Sequence, residues 1–301
     1  MSGRGRLAVA ILAVWAGALA WHVKRVHFRP VADLLAAAAR TIPPGVAYYA
    51  LFQGDRRIGW AQTEVDTLPS GTGFLLRDQL IAREPIVPGG SLMRLAVDAR
   101  LGPTLALESF RLAAEGVPGI RTVDGDVHGD TALELRVRGE DGARRVVIPI
   151  EGSIILQAAW PLRFAAQRQV REGVRFEVPT LDPLTGSTRV VGLRVLSSEA
   201  KVYPDSVVAE DGWWVPARND TVWAWHIEHE IGGLALRSWV DEDGRLFRAE
   251  LPGGLRLERT AFELAYFGER VPGSGDPEPD GDGGPGQRAT ESTEPRRSDR
   301  P

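Results

Sequence analysis

The segment Trp223-Ala224-Trp225-His226-Ile227-Glu228-His229-Glu230-Ile231 is where this sequence comes nearest to chemistry. On a strand, side chains at i, i+2 and i+4 share a face, so His226, Glu228 and Glu230 would project together. One imidazole and two carboxylates could hold Zn²⁺ or a similar ion, which makes a metal-dependent enzyme centred on His226 one reading. The opposite face would carry Trp223, Trp225, Ile227, His229 and Ile231. An ordinary amphipathic strand, aromatics inward and polar groups to water, explains the same alternation without a metal. We take the amphipathic strand as the primary reading, with no cofactor, and His229 as a half-buried histidine rather than a ligand.

Other chemistries lack their parts. The chain has no cysteine, which removes disulfides, thiolate metal sites, a cysteine nucleophile and a lipidated N-terminal cysteine. No G-x-S-x-G elbow, Walker-type phosphate-binding loop or H-E-x-x-H occurs in it. Asp124, Asp126 and Asp130 faintly resemble a calcium loop, but Leu135 stands where its closing glutamate belongs, so a plain turn is expected. The net charge of −4 argues against a nucleic-acid partner. Of 36 basic residues all but Lys24 and Lys201 are arginine, which reads as genome composition.

The elements that position these residues follow from periodicity. From Val46 the apolar period is two, in runs separated by Gly, Pro and Asp, as at Gly54-Asp55, Gly102-Pro103 and Asp241-Glu242-Asp243-Gly244. Strands at this spacing predict a mainly β fold, an antiparallel meander forming a curved sheet or half-barrel. Its two β-rich halves, about 46–150 and 170–266, are joined by a helical segment at 154–169 in a domain spanning 46–270. Pro161 predicts either two short helical pieces there or a helix that starts beside it. Leu156, Trp160 and Phe164 are spaced by four and would share one side, an obvious cover for the apolar face of the sheet. If the cover fits loosely, Trp160, Phe164, Trp223 and Trp225 line a groove for a lipid or other hydrophobic ligand. If it fits tightly, the interior is an ordinary core.

Residues 1–28 read as a membrane anchor or signal segment. Leu7 to Val23 has no formal charge and is flanked by Arg4, Arg6, Lys24 and Arg25. As a helix those residues rise about 25 Å, slightly short of a ~30 Å hydrocarbon core. Trp21 sits where an interfacial anchor would be. The alternative is cleavage near Ala20, because Ala18-Leu19-Ala20 has the small-x-small form, and the protein would then be secreted. Residues 29–45 read as a juxtamembrane helix, with Val31, Leu34, Leu35 and Ala38 as its stripe, and a linker. Residues 271–301 are rich in Gly, Pro and acidic residues, a composition that predicts a disordered tail.

The stretch Tyr49-Ala50-Leu51-Phe52-Gln53-Gly54-Asp55-Arg56-Arg57-Ile58-Gly59-Trp60 resembles the opening of certain bacterial exported β-rich proteins. Asp182-Pro183-Leu184-Thr185-Gly186-Ser187, Trp239 to Gly244 and Pro252-Gly253-Gly254 continue the likeness. The region 46–265 is similar to the non-catalytic module upstream of bacterial transglutaminase-like domains, and to DUF3108-type periplasmic domains, whose folds resemble LolA-like carriers. The resemblance implies a non-enzymatic module, since the transglutaminase-like reaction needs a thiolate that this chain lacks. The expectation is therefore an inner-membrane, single-pass protein with an extracytoplasmic β domain that binds or scaffolds an envelope partner or a lipid. Membrane fractions should hold the full-length protein, and deletion of residues 1–28 should release it. Mass spectrometry of the mature N-terminus checks this: a chain beginning at Trp21 would establish cleavage instead.

Overall fold

A computed structural model describes residues 31–83, 92–140, 142–167, 170–209, 214–231 and 233–267. The expected anchor and tail lie outside these residues. Among the described residues no helix is long and apolar enough to cross a membrane.

Among the described residues fifteen strands form one sheet. The first half runs β1 (Gly45–Gln53), β2 (Arg56–Thr67), β3 (Phe74–Ala82), β4 (Met93–Leu101), β5 (Leu107–Glu115), β6 (Thr122–His128), β7 (Ala132–Gly139) and β8 (Gly142–Pro149). The second runs β9 (Ile155–Leu156), β10 (Arg175–Asp182), β11 (Ser187–Val208), β12 (Trp214–Ile231), β13 (Leu234–Asp241), β14 (Leu246–Leu251) and β15 (Leu255–Thr260). Each half is a meander. The two meet where β1 pairs antiparallel with β15, so the sheet reads from β8 down to β1, then from β15 down to β9. The two β-rich halves thus share one sheet, antiparallel except where β9 lies parallel to β10.

The sheet curls around its helices. Helix α1 (Val31–Ala39) and helix α2 (Trp160–Ala165) occupy the inner face. One apolar cluster joins Leu35, Ala38 and Ala39 of α1 to Leu76, Leu101, Leu112, Leu133 and Leu162. A second gathers Trp160 and Phe164 of α2 with Val178, Leu193, Val195, Ile227 and Val240. A third, around Tyr49, Leu51, Ile58 and Leu257, lies where β1 meets β15. Burial of such side chains, worth about 1.5–3 kcal/mol for each large aliphatic, holds the curl. At the far side the β10–β11 turn reaches under the other half, where Gly186 lies against Leu135 of β7 and Ile148 of β8. Helix α3 (Phe262–Phe267) covers the outer face. Its Phe262 and Tyr266 rings pack on Tyr48 and Trp60, with centroids 5.0 and 5.1 Å apart. Arg57 and Arg83 donate to the carbonyls of Ala265 and Tyr266, capping its last turn.

Several expectations need correction. Residues 31–39 are helical as expected, and α1 packs into the core: Leu35 and Ala38 of the expected stripe are buried, whereas Val31 and Leu34 are exposed. The central segment is a short strand, a 3₁₀ turn at Gln157–Ala159 and α2, with Pro161 in the first turn of the helix. Leu156 falls on the strand, so it joins the first cluster while Trp160 and Phe164 join the second. The apolar alternation predicts four short strands, Ser187 to Ser197, Val202 to Glu210, Trp213 to Ala217 and Val222 to Ile231, where the structure has two long ones. Bulges at Val195/Ser197 and Asp205/Ser206 absorb the breaks in alternation that mimicked turns.

Two glycines fix turns and contacts. Gly125 leaves room for the Phe110 ring, which lies across it. Gly244 has φ +75°, and a Cβ there would come within 2.8 Å of the Leu162 Cα. The β13–β14 turn is therefore pressed against α2. Gly54 shares the left-handed conformation with open space around it. Gly244→Ala should lower unfolding free energy by about 3 kcal/mol and Gly54→Ala by about 1 kcal/mol, as measured by chemical denaturation.

Candidate functional site

The aromatic residues expected to line a groove are distributed unevenly. Trp160 and Phe164 are 7% and 1% exposed. Phe164 meets Phe176 edge-on, ring centroids 5.9 Å apart, and Trp225 packs against the same cluster. Trp223 lies apart from them, on the distal part of the β11–β12 hairpin, and is half exposed. Beside Trp160 lies His229, with ring centroids 5.2 Å apart. Its Nε2 shares a 2.9 Å hydrogen bond with the Ser238 hydroxyl, and its Nδ1 is buried without a partner among the described residues. Burial pushes its pKa down to about 4, so the imidazole is neutral. It is fully rather than half buried.

His226, Glu228 and Glu230 lie on the outer face, as the alternation of β12 requires. His226 is spent in a stack on Trp239, its cross-strand neighbour, at a centroid distance of 4.3 Å with planes 5° apart. The Trp239 indole donates to Glu199 Oε1 at 2.8 Å, and Lys201 pairs with the same oxygen at 2.9 Å. Burial first, then Arg237, lowers the His226 pKa. Glu228 sits between Arg194 and Arg237 in register, and Glu230 opposite Ala235. Among the described residues no three His, Asp or Glu side chains are grouped to hold a metal ion.

Three polar features were not singled out from sequence. The first is Asp78, on the inner face of β3 opposite Thr63 and Val97. The residue as a whole is partly accessible, but both carboxylate oxygens are buried and lack a well-formed hydrogen bond among the described residues. Burial raises its pKa to about 6, and Thr63 offsets the rise only in part. Tyr49 nearby is likewise pushed up by burial. The second is a buried ion pair in which Arg259 Nη1 donates to Asp241 Oδ2 at 2.6 Å. The other Asp241 oxygen accepts from the Asp243 and Arg245 amides, so one carboxylate fixes the β13–β14 turn to β15. Removing one partner of such a pair strands the other, typically at about 3–5 kcal/mol.

The third is a row of charges across the outer face of seven strands. Glu64, Arg77, Asp98, Arg111, Asp124, Arg136 and Arg145 follow one another in direct cross-strand register. Contacts include Arg77–Glu64 at 2.9 Å, Arg77–Asp98 at 3.6 Å and Arg111–Asp124 at 3.6 Å. Arg77, Asp98, Arg111, Asp124 and Arg136 of this row line an open hollow of about 620 Å³ whose walls also carry Arg100, Asp126 and Arg138. Exposed pairs of this kind contribute little stability each but fix which strand fits beside which. The alternation fails only at the last step, Arg136 to Arg145. There Glu134, 6% exposed, takes up the excess: it accepts from Arg145 at 2.6 Å and Arg136 at 3.0 Å, and His128 lies 3.5 Å away. These arginine side chains cover a carboxylate near the surface, and the hydrogen bond from Arg145 above all lowers its pKa.

No family model matches the chain, and no curated protein matches it. Among solved structures, the chain is similar to a β-barrel-like protein of domain of unknown function DUF1849 from Brucella abortus. The likeness has 14% identity and a TM-score of 0.47, and covers 72% of this chain and 95% of that one.

Asp78 and His229 titrate with opposite consequences. The Asp78 carboxyl holds its proton up to about pH 6 in the fold, so its contribution is full at low pH and lost as pH rises through 6. His229 refuses a proton down to about pH 4, so its contribution is full above its ordinary pKa and lost as pH falls towards 4. Each spans about 3 kcal/mol, and the two slopes offset one another between pH 4 and 6. Asp78→Asn should raise the melting temperature at pH 8, change it little at pH 4, and leave a variant that loses stability on acidification more steeply than the parent.

Proposed function

We propose that the chain is a membrane-tethered, extracytoplasmic, non-enzymatic binding or scaffold protein of the bacterial cell envelope. The observation that carries this reading is the filled inner face: α1, α2 and the side chains around Trp160 and Phe164 occupy the curve of the sheet. Of the outer-face trio, His226 is engaged in a stack on Trp239 and Glu228 stands in charge register with Arg194 and Arg237, leaving Glu230 opposite Ala235, which favours a scaffold over a metal-dependent enzyme. The tether rests on the uncharged run Leu7 to Val23, and the kinship with DUF3108-type and transglutaminase-associated modules on the strand–turn–strand opening Tyr49 to Trp60.

A second reading, a carrier of a lipid or other hydrophobic ligand, draws support from inner side chains that stay partly accessible, Phe176, Trp225 and Leu246 among them. Native mass spectrometry of the full chain, released from detergent in the gas phase, distinguishes the two. The scaffold reading expects the bare protein mass. A lipid retained one-to-one, and lost in Trp225→Asp with the circular dichroism spectrum preserved, would establish the carrier.

A further inference from the structure

Strand β8 ends the sheet, and nothing among the described residues pairs with its outer edge. An antiparallel ladder turns the N–H and C=O of every second residue away from the existing neighbour, so β8 offers unpaired donors and acceptors along its length. Seven of its eight residues are exposed, Val146 and Val147 among them. Its charge is as unusual as its exposure. In a chain of net charge −4, strands β7 and β8 carry Arg136, Arg138, Arg144 and Arg145 against the single acid Glu134. The charge row that alternates from Glu64 through Asp124 ends in two adjacent arginines, and the next position across the sheet, if it continued, would call for an acid.

We propose that β8 is a docking edge for an extended acidic segment of a partner protein, which adds as a further strand with its carboxylates against Arg144 and Arg145. Arg145 and Val147 lie on the outer face and Arg144 and Val146 on the inner, so the fitting segment has acids and small apolar residues on both faces. The arginines also decide what does not dock. Two copies of β8 paired about a two-fold axis would crowd four arginines together, so the edge is closed to its own kind while open to the opposite charge. The proposal deepens the scaffold reading by naming the partner's chemistry, and it rests on that reading. Bare protein that binds no acidic strand would sink the docking edge and leave the scaffold standing.

The test uses the full chain and a labelled, end-blocked peptide slightly longer than β8 in which pairs of glutamates alternate with pairs of valines, so that each face carries both, with the peptide that has lysine in place of glutamate as its counterpart. Fluorescence anisotropy should show saturable binding of the glutamate peptide, weakened by salt, and binding of the lysine peptide at least about tenfold weaker. Hydrogen exchange of the parent protein with the glutamate peptide should protect alternate amides of β8. The double variant Arg144→Glu/Arg145→Glu should reverse the preference. Because Arg145 also holds Glu134, circular dichroism accompanies that variant, and Arg144→Glu alone should narrow the preference with the Glu134 contacts intact. No saturable binding, equal affinity for the two peptides, protection elsewhere than β8, or a folded double variant with unchanged preference would each overturn the proposal.

Discussion

The pairing of β1 with β15 is the joint on which the architecture turns. Each half of the chain can build its own meander from neighbouring strands, but only the register Tyr49 to Arg259, Leu51 to Leu257 and Gln53 to Leu255 makes them one sheet. Once that register is set, α3, which begins two residues after β15 ends, lands on Tyr48 and Trp60. The Asp241–Arg259 pair then ties the β13–β14 turn to the same strand. Arg245, from that turn, reaches the carbonyls of Pro43 and Pro44 just ahead of β1. The joint is thus braced by apolar packing, a buried ion pair and backbone contacts from both sides.

The two faces of the sheet solve different problems. Inside, helices and aliphatic side chains exclude water, and the few polar groups that enter, Asp78 and His229 above all, stay neutral over part of the ordinary pH range because burial disfavours their charged forms. Outside, between β2 and β8, charge itself is the organising material. A one-residue slip between any two of those strands would place each charge on the wrong face, so the row reinforces the register that the apolar alternation already demands.

Local pattern revealed what is local. Alternation and turn residues located most strands, and Gly54-Asp55 and Asp241 to Gly244 are turns as their residues require. The long β11–β12 hairpin looks like fragments in sequence because a bulge and a turn interrupt alternation alike. What depends on distant pairing was hidden. Nothing in Val31 to Ala39 says that an apolar stripe will be buried by a sheet made later in the chain. The charge row needs six registers before Glu64 and Arg145 can be seen as its ends. Asp78 looks in sequence like any outward-facing acid in Arg77-Asp78-Gln79; only the phase of β3 against β2 and β4 turns it inward. The His226 trio does share a face, as period two requires, but the residue across from His226 is an indole, and that depends on β13.

Vectorial synthesis gives the β1–β15 joint a further meaning. A ribosome delivers β1 well before β15, so one side of β1 finds β2 at once while its other side waits until β2 to β14 have been made. Throughout that interval the Tyr-Tyr-Ala-Leu-Phe stretch presents a bare apolar strand edge, the kind of surface that holding chaperones bind and that mispairs when they are scarce. Completion is therefore all-or-none and late. The first half can build its meander as it emerges, but the single sheet waits for β15, and a truncation just ahead of β15 would leave every earlier hairpin possible but the sheet cut in two.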